Sequence, residues 1–186
     1  MPVDGFKLRL VDENEQDVGD DEMGELLVKG ESSGAGYWNQ REKSRRTFLG
    51  EWTRTGDKYT RRPDGVYTYC GRTDDMFKVS GIWVSPFEIE EALVGHPNVL
   101  EAAVVPAEDD NGLIKPKAFV VLKGCSNNDV GRAMYEELKV HVKRAVGPWK
   151  YPRWIEFVDS LPKTATGKIQ RFLLRDHGIK LDGGDQ

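Results

Sequence analysis

The 186-residue sequence is poor in the features that mark several common protein classes. Its two cysteines, Cys70 and Cys125, show neither metal-ligand spacing nor a disulfide framework, which favours a reducing, cytoplasmic environment. No apolar run approaches the ~18 residues that span a bilayer and no signal peptide is expected, so we predict no membrane contact. The net charge of −4 argues against nucleic acid as a partner, because nucleic-acid binders are usually basic.

The first part of the chain, residues 1–73, has the alternation of apolar and polar side chains that half-buried strands require. Asn39 is predicted to cap a short helix over residues 41–48. Four strands are predicted, at residues 6–11, 24–30, 51–55 and 66–70, with the last two paired. We therefore expect a β-rich, barrel-like subdomain.

Residues 74–178 predict a second unit, a small α+β lid domain with a three-stranded sheet and helices on one face. A helix from Asp129 to about Val146 carries one apolar stripe, formed by Met134, Leu138, Val142 and Val146. The other expected elements are helices at 87–96 and 170–177 and strands at 99–105, 116–122 and 154–158. Residues 179–186 form a polar tail, and the fold class of the whole chain is α+β.

The stretch from Gly71 to Glu90 is the most informative part of the sequence. It predicts a turn over residues 71–75, then a hairpin that reverses at Ser80-Gly81. Ser85-Pro86 predicts a helix start, with serine as the cap and proline at the first helical position. Taken alone, the stretch is also compatible with a surface turn of mixed charge.

Three stretches in order resemble motifs of the adenylate-forming enzyme superfamily: residues 53–58, 71–90 and 161–171. That superfamily comprises acyl-CoA synthetases, the adenylation domains of peptide synthetases and beetle luciferases. Residues 37–44, 67–86 and 116–122 look most like its benzoate–CoA ligase branch. The resemblance covers nearly the whole chain, which corresponds to the C-terminal portion of such an enzyme and lacks most of the large N-terminal domain.

The resemblance implies activation of a small-molecule carboxylate. The carboxylate attacks the α-phosphate of ATP to give acyl-AMP and pyrophosphate, and the thiol of CoA then displaces AMP. Lys168 matches the catalytic adenylation lysine, and the neighbouring Thr164, Thr166 and Gly167 match residues that approach phosphate. Mg²⁺ would be held mainly by the N-terminal part that this sequence lacks. Without the motif around it, a lysine in a glycine loop is ordinarily a solvated side chain.

Other cofactor-binding residues are also implied by the resemblance. Asp57 would bind the ribose hydroxyls of AMP from a tight Thr-Gly-Asp turn, with Arg72 supporting the ribose or the phosphate. The alternative for Asp57 is a turn residue that bonds only to its own backbone.

Asp74 matches the hinge about which the lid rotates between the two half-reactions. Lys78, Ser80 and Gly81 would line the pantetheine tunnel, and Trp83 would either shape that tunnel or simply pack.

Three hypotheses remain for the function. The first is the C-terminal part of an aromatic acyl-CoA ligase, and the second is an adenylation domain that loads a carrier protein. We expect free CoA instead of a carrier, since no carrier signature follows residue 178. The third is a non-catalytic lid module that binds a nucleotide or a partner.

This chain alone is expected to be inactive, because the phosphate-binding loop and the acyl pocket lie outside it. We also expect self-association through residues 1–70, whose apolar side chains would lack the cover of the absent domain. The side chains in question are Leu8, Leu10, Leu26, Trp38 and Trp52.

Overall fold

The computed structural model describes residues 3–124 and 132–177, and it divides the chain into two compact units, Met1–Asp74 and Asp75–Gln186. Cys125, the predicted cap Asp129 and the tail at 179–186 lie outside the described residues. Within the described ranges, none of the helices has the length and apolar character needed to cross a bilayer.

The first unit is built on an antiparallel sheet of five strands in the order β1-β2-β4-β3, with β5 also paired to β4. The strands are β1 Lys7–Val11, β2 Met23–Lys29, β3 Phe48–Leu49, β4 Trp52–Arg61 and β5 Tyr67–Arg72. All four predicted strands are present, but β4 continues six residues beyond its predicted end at Thr55. The extra length brings Asp57 into the sheet opposite Arg72.

The helix of the first unit, α1, spans Arg41–Thr47, close to its predicted bounds. Its cap was predicted wrongly: Gln40 occupies that position and makes no side-chain capping bond, while Asn39 has a left-handed backbone with φ of 51°. Ser44 instead stabilises the entry to the helix, because its hydroxyl accepts a hydrogen bond from the Tyr37 N–H at 2.9 Å.

Within residues 75–124 and 132–177, the second unit contains a hairpin, a three-stranded sheet and three helices. The hairpin strands are β6 Phe77–Val79 and β7 Ile82–Val84, and the sheet strands are β8 Val99–Glu108, β9 Ile114–Leu122 and β10 Trp154–Phe157. In the sheet, β9 is central, antiparallel to β8 and parallel to β10. The helices are α2 Pro86–Val94, α3 Arg132–Val146 and α4 Arg171–His177.

Ser85 caps α2 as predicted, since its hydroxyl accepts a hydrogen bond from the Glu88 N–H and Pro86 takes the first helical position. The apolar stripe of α3 is also confirmed: Leu138 and Val142 are buried, and Met134 and Val146 pack beside them. These features together confirm the predicted α+β class.

The sheet of the second unit is covered on both faces, so the prediction of helices on one face was wrong. Residues of α2 and α3, such as Leu93 and Leu138, pack with Val104 and Val120 on one face. On the other face, Leu174 of α4 packs with Phe119 in a second buried cluster. Successive residues of a strand point to opposite faces, so β8 and β9 supply both clusters.

Candidate functional site

Asp57 lies on an irregular part of β4 and not in the tight turn that was predicted. The register places Leu27 of β2 opposite Arg54 and Glu25 opposite Lys58. One residue of β2 therefore faces residues 55–57 of β4, which form a bulge. Gly56 adopts φ of +73° within this bulge, a backbone angle that glycine accepts without steric cost. The Thr55 hydroxyl fixes the bulge by donating to the Leu26 carbonyl at 3.0 Å and accepting from the Asp57 N–H at 3.1 Å.

The bulge presents Asp57 to Arg72 on the neighbouring strand. Arg72 Nη1 lies 2.9 Å from Asp57 Oδ1 and 3.3 Å from the Thr55 carbonyl oxygen. A Cβ on Gly56 would stand only 3.0 Å from Arg72 Nη2, so a larger residue would crowd the guanidinium. The first unit therefore brings two of the predicted nucleotide-binding residues into direct contact.

Four further predicted residues lie on the β6–β7 hairpin of the second unit. Ser80 and Gly81 form its turn with φ of 50° and 83°, so both central residues have the left-handed backbone expected for a tight two-residue hairpin. Lys78 and Trp83 are directly opposite in the register, and Lys78 Nζ stands 4.5 Å from the centre of the Trp83 ring. The cation is thus held on an aromatic face.

Lys168 lies on an exposed loop between Leu161 and α4 that is closed by backbone bonds. The Thr164 N–H donates to the Lys168 carbonyl at 2.9 Å, and the Gly167 N–H donates to the Thr164 carbonyl at 2.9 Å. Gly167 has φ of +81°, which permits this reversal. The loop is closed at its base by a bridge between Lys163 and Ile169.

The two threonines of the loop bond within it. The Thr164 hydroxyl lies 2.9 Å from the Thr166 hydroxyl and accepts the Lys168 N–H at 3.1 Å. On either side of the loop, Leu161 and Leu174 are buried in the same cluster, and fully burying a leucine contributes about 1.5–3 kcal/mol. Lys168 is therefore an exposed cation on a well-anchored loop.

The predicted hinge residue, Asp74, lies in a 3₁₀ turn over Thr73–Asp75. The predicted turn at 71–75 is thus shorter than expected, because Gly71 and Arg72 complete strand β5. Asp75, the residue after Asp74, forms ion pairs with Arg171 and Arg175 of α4. Sequence reasoning did not assign these arginines a role, although their spacing of four residues places them on one helix face.

Among residues 3–124 and 132–177, the histidine, cysteine, aspartate and glutamate side chains form no group of three or more suited to a metal ion. Apart from the predicted hinge residue Asp74, the predicted site residues fall into three clusters: the Asp57–Arg72 pair, the β6–β7 hairpin and the Lys168 loop.

The second unit thus carries an exposed lysine, Lys168, on a closed glycine loop. Residues 88–168 match the family described as AMP-binding enzyme C-terminal domain. More particularly, the close homologues of the chain include benzoate–CoA ligases of the adenylate-forming superfamily.

Two curated relatives illustrate the similarity. The chain is 71% identical over 176 residues to a 4-hydroxybenzoate–CoA/benzoate–CoA ligase of Rhodopseudomonas palustris, covering 95% of this chain and 32% of that protein. It is 58% identical over 175 residues to a benzoate–CoA ligase of Thauera aromatica, covering 94% of this chain and 33% of that protein. The chain therefore spans about a third of the length of these relatives.

The same similarity is seen in three dimensions. The crystal structure of an anthranilate CoA ligase in complex with anthranoyl-AMP superposes with a TM-score of 0.90 at 49% identity. The match covers 96% of this chain and 34% of that chain.

Proposed function

We propose that this chain is the C-terminal part of an ATP-dependent acid–thiol ligase that activates a benzoate-like carboxylate as acyl-AMP and transfers it to CoA. The observation that carries the proposal is the exposed Lys168 on its closed loop. The names of the relatives support an aromatic acid as substrate. ATP, AMP and CoA are the implied ligands, and the cytoplasm is the compartment we assign.

The role we assign to Lys168 follows from the charge that develops during adenylation. Negative charge accumulates on the α-phosphate, the incoming carboxylate and the departing pyrophosphate. A positioned ammonium that meets this charge in a water-poor site stabilises the transition state more than the ground state. The closed loop limits the backbone freedom of Lys168, so less conformational entropy is lost when the ammonium takes up its position.

The Asp57–Arg72 pair suits a ribose site. Arg72 donates to Asp57 Oδ1 and holds the carboxylate in one orientation, which leaves Oδ2 to accept from vicinal ribose hydroxyls. The Thr55 and Gly56 backbone keeps both side chains in place. We therefore assign Asp57 to ribose binding and Arg72 to its support.

The second half-reaction is assigned to the hairpin. Rotation about Asp74 would withdraw Lys168 and bring Lys78, Ser80 and Gly81 to the pantetheine chain of CoA. The aromatic face of Trp83 holds the Lys78 ammonium, which supports a role for Trp83 in shaping the tunnel. Mg²⁺ would enter with ATP and neutralise phosphate charge, and the ligands for it are assigned to the N-terminal part of the enzyme.

The test is a comparison of the complete protein with the 186-residue chain. For the complete protein we expect benzoate-dependent exchange of pyrophosphate into ATP and formation of benzoyl-CoA, while an aliphatic acid of similar size gives much less of either. The 186-residue chain is expected to give neither product. Exchange that does not depend on any carboxylate would contradict the proposed function, and acyl-AMP formation without use of free CoA would favour a carrier-loading domain.

A further inference from the structure

Four charged side chains of the second unit form one network, which we call the Arg171 network: Asp75, Glu90, Arg171 and Arg175. Arg171 binds Glu90 with two bonds, from Nε to Oε1 at 3.0 Å and from Nη2 to Oε2 at 2.7 Å. Its third donor, Nη1, reaches Asp75 Oδ2 at 3.3 Å. Arg175 Nη2 binds the other oxygen of Asp75 at 2.9 Å.

Glu90 is the buried member of the network and is held in place by the backbone of β8. It is only 7% exposed, and its Oε1 also accepts the Val104 N–H of strand β8 at 2.8 Å. Among the described strands β8 is an edge of the sheet, and this carboxylate binds a backbone donor on that edge strand. A buried carboxylate needs such partners to offset the loss of water, and Arg171 supplies the opposite charge.

The network joins the chain next to the Lys168 loop to the segment that follows the predicted hinge. Arg171 is three residues beyond Lys168 and is the first residue of α4, while Asp75 directly follows the predicted hinge residue Asp74. The partners are separated by 81 and 96 residues in the chain, so only the fold brings them together. A planar guanidinium with donors on two edges holds both carboxylates in a defined geometry, which a lysine would not do.

We propose that Arg171 is a positioning residue that holds the Lys168 loop in a fixed place relative to the segment that leaves the hinge. The two bonds to Glu90 tie the start of α4 to α2 and β8, and the bond to Asp75 ties it to the chain just after Asp74. The ammonium of Lys168 then moves with the second unit as one body. The inference rests on the role proposed above for Lys168 and Asp74.

The first experiment is amide hydrogen exchange on the 186-residue chain, which needs no activity. The amides of Thr164, Gly167 and Lys168 are hydrogen-bonded within the loop, so their exchange reports its opening. In Arg171→Gln we expect these amides to exchange about tenfold faster, with a smaller increase in Arg171→Lys, which keeps the charge but loses the fork. Arg144→Gln, at an exposed position on α3, is the matched control and should match the wild type.

The amides of β9 serve as an internal reference in the same samples. Loop exchange that rises in Arg171→Gln while β9 is unchanged supports the proposal. Loop exchange equal to that of the wild type overturns it. An equal rise in β9 would show general loss of stability and would also overturn it, unless Arg171→Lys opens the loop selectively.

The second experiment measures the two half-reactions in the complete protein. We expect Arg171→Gln to lower the single-turnover rate of acyl-AMP formation by about 100-fold, the scale of a misplaced catalytic group, with little change in the KM for ATP. Thioester formation from supplied acyl-adenylate should change far less. Arg171→Lys should recover part of the lost rate.

The variant Lys168→Ala distinguishes the catalytic role proposed for Lys168 from the positioning role proposed for Arg171. If Lys168→Ala leaves adenylation intact, the proposed role of Lys168 fails, while hydrogen exchange still decides whether Arg171 holds the loop. If Lys168→Ala abolishes adenylation and Arg171→Gln retains the wild-type rate, the positioning role is overturned.

Discussion

At the scale of single residues, Gly56 connects backbone shape to the proposed ribose site. Its φ of +73° and its close approach to Arg72 both disfavour a side chain. We predict that Gly56→Ala displaces Arg72 from Asp57 and weakens AMP binding to the complete protein by about tenfold, the scale of one charge-assisted hydrogen bond. Isothermal titration with AMP measures the change.

Gly50 provides a matched control for this prediction. It has a similar backbone angle, φ of 63°, but a Cβ there would meet no atom within 4 Å. Both alanine variants should lose about 1–2 kcal/mol of unfolding free energy from the left-handed backbone, and only Gly56→Ala should lose AMP affinity. Equal affinities in the two variants would show that crowding of Arg72 has no effect on the nucleotide.

Lys168 is the residue on which the proposed adenylation step depends. We predict that Lys168→Ala in the complete protein slows acyl-AMP formation by about 100- to 1,000-fold, because the developing charge loses its cation. Thioester formation from supplied acyl-adenylate should be spared, since the loop is expected to have left the site. Rapid-quench assays of each half-reaction measure this, with Lys115→Ala on β9 as the control. Equal losses in both half-reactions would contradict the two-pose mechanism.

At the scale of elements, the β6–β7 hairpin is expected to serve only the second half-reaction. We predict that Gly81→Leu slows thioester formation with little effect on pyrophosphate exchange, because a side chain would enter the space assigned to pantetheine. Leucine also strains the turn, since Gly81 has φ of +83°. Gly81→Asn controls for that strain because asparagine tolerates the left-handed region, and it should slow the same step to a smaller extent. If Gly81→Leu lowered pyrophosphate exchange more than thioester formation, the assignment of Gly81 to the pantetheine tunnel would be wrong.

Elements governed by neighbouring residues were predictable from the sequence. The Ser80-Gly81 turn and the Ser85-Pro86 start of α2 depend on residues adjacent in the chain, and both were predicted correctly. The bulge at Gly56 was read as a turn, because only pairing with β2 and β5 makes a glycine there a bulge inside a strand.

Features that depend on distant residues were not predictable in the same way. The apolar side of α4 gave no indication of which sheet face it would cover, and Leu174 packs on the face opposite α2 and α3. The ion pairs of Arg171 join residues that the sequence places far apart. Of the candidate site, Lys168 and Asp57 were proposed from motifs, whereas their supporting contacts required the fold.

At the scale of the whole molecule, the first unit carries apolar surface. Trp38 is 95% exposed, and a groove of about 300 Å³ is lined by Leu8, Leu26, Tyr59, Val66 and Tyr67. Leu10, which was expected to lack cover, is buried at 7% exposure. The exposed Trp38 and the apolar groove together still favour association of the chain with a second copy.

We predict that the 186-residue chain self-associates through residues 1–70, while residues 75–178 alone stay monomeric. Light scattering over a range of concentrations measures both. Trp38→Ser should weaken the association, and Trp149→Ser, at an exposed tryptophan of the second unit, is the matched control. A whole chain that stays monomeric at high concentration would defeat the prediction.

Each of these ion pairs has both of its partners on the same side of residue 74, and this matters for genetic recombination. Arg72 finds its partner Asp57 before this point, whereas Asp75 finds Arg171 and Arg175 after it. A genetic crossover between codons 74 and 75 would therefore leave each of these ion pairs intact, because both partners of a pair stay on the same segment. Natural recombination can then exchange the segment that carries Lys168 between related genes while each descendant keeps the charge pairs that support it.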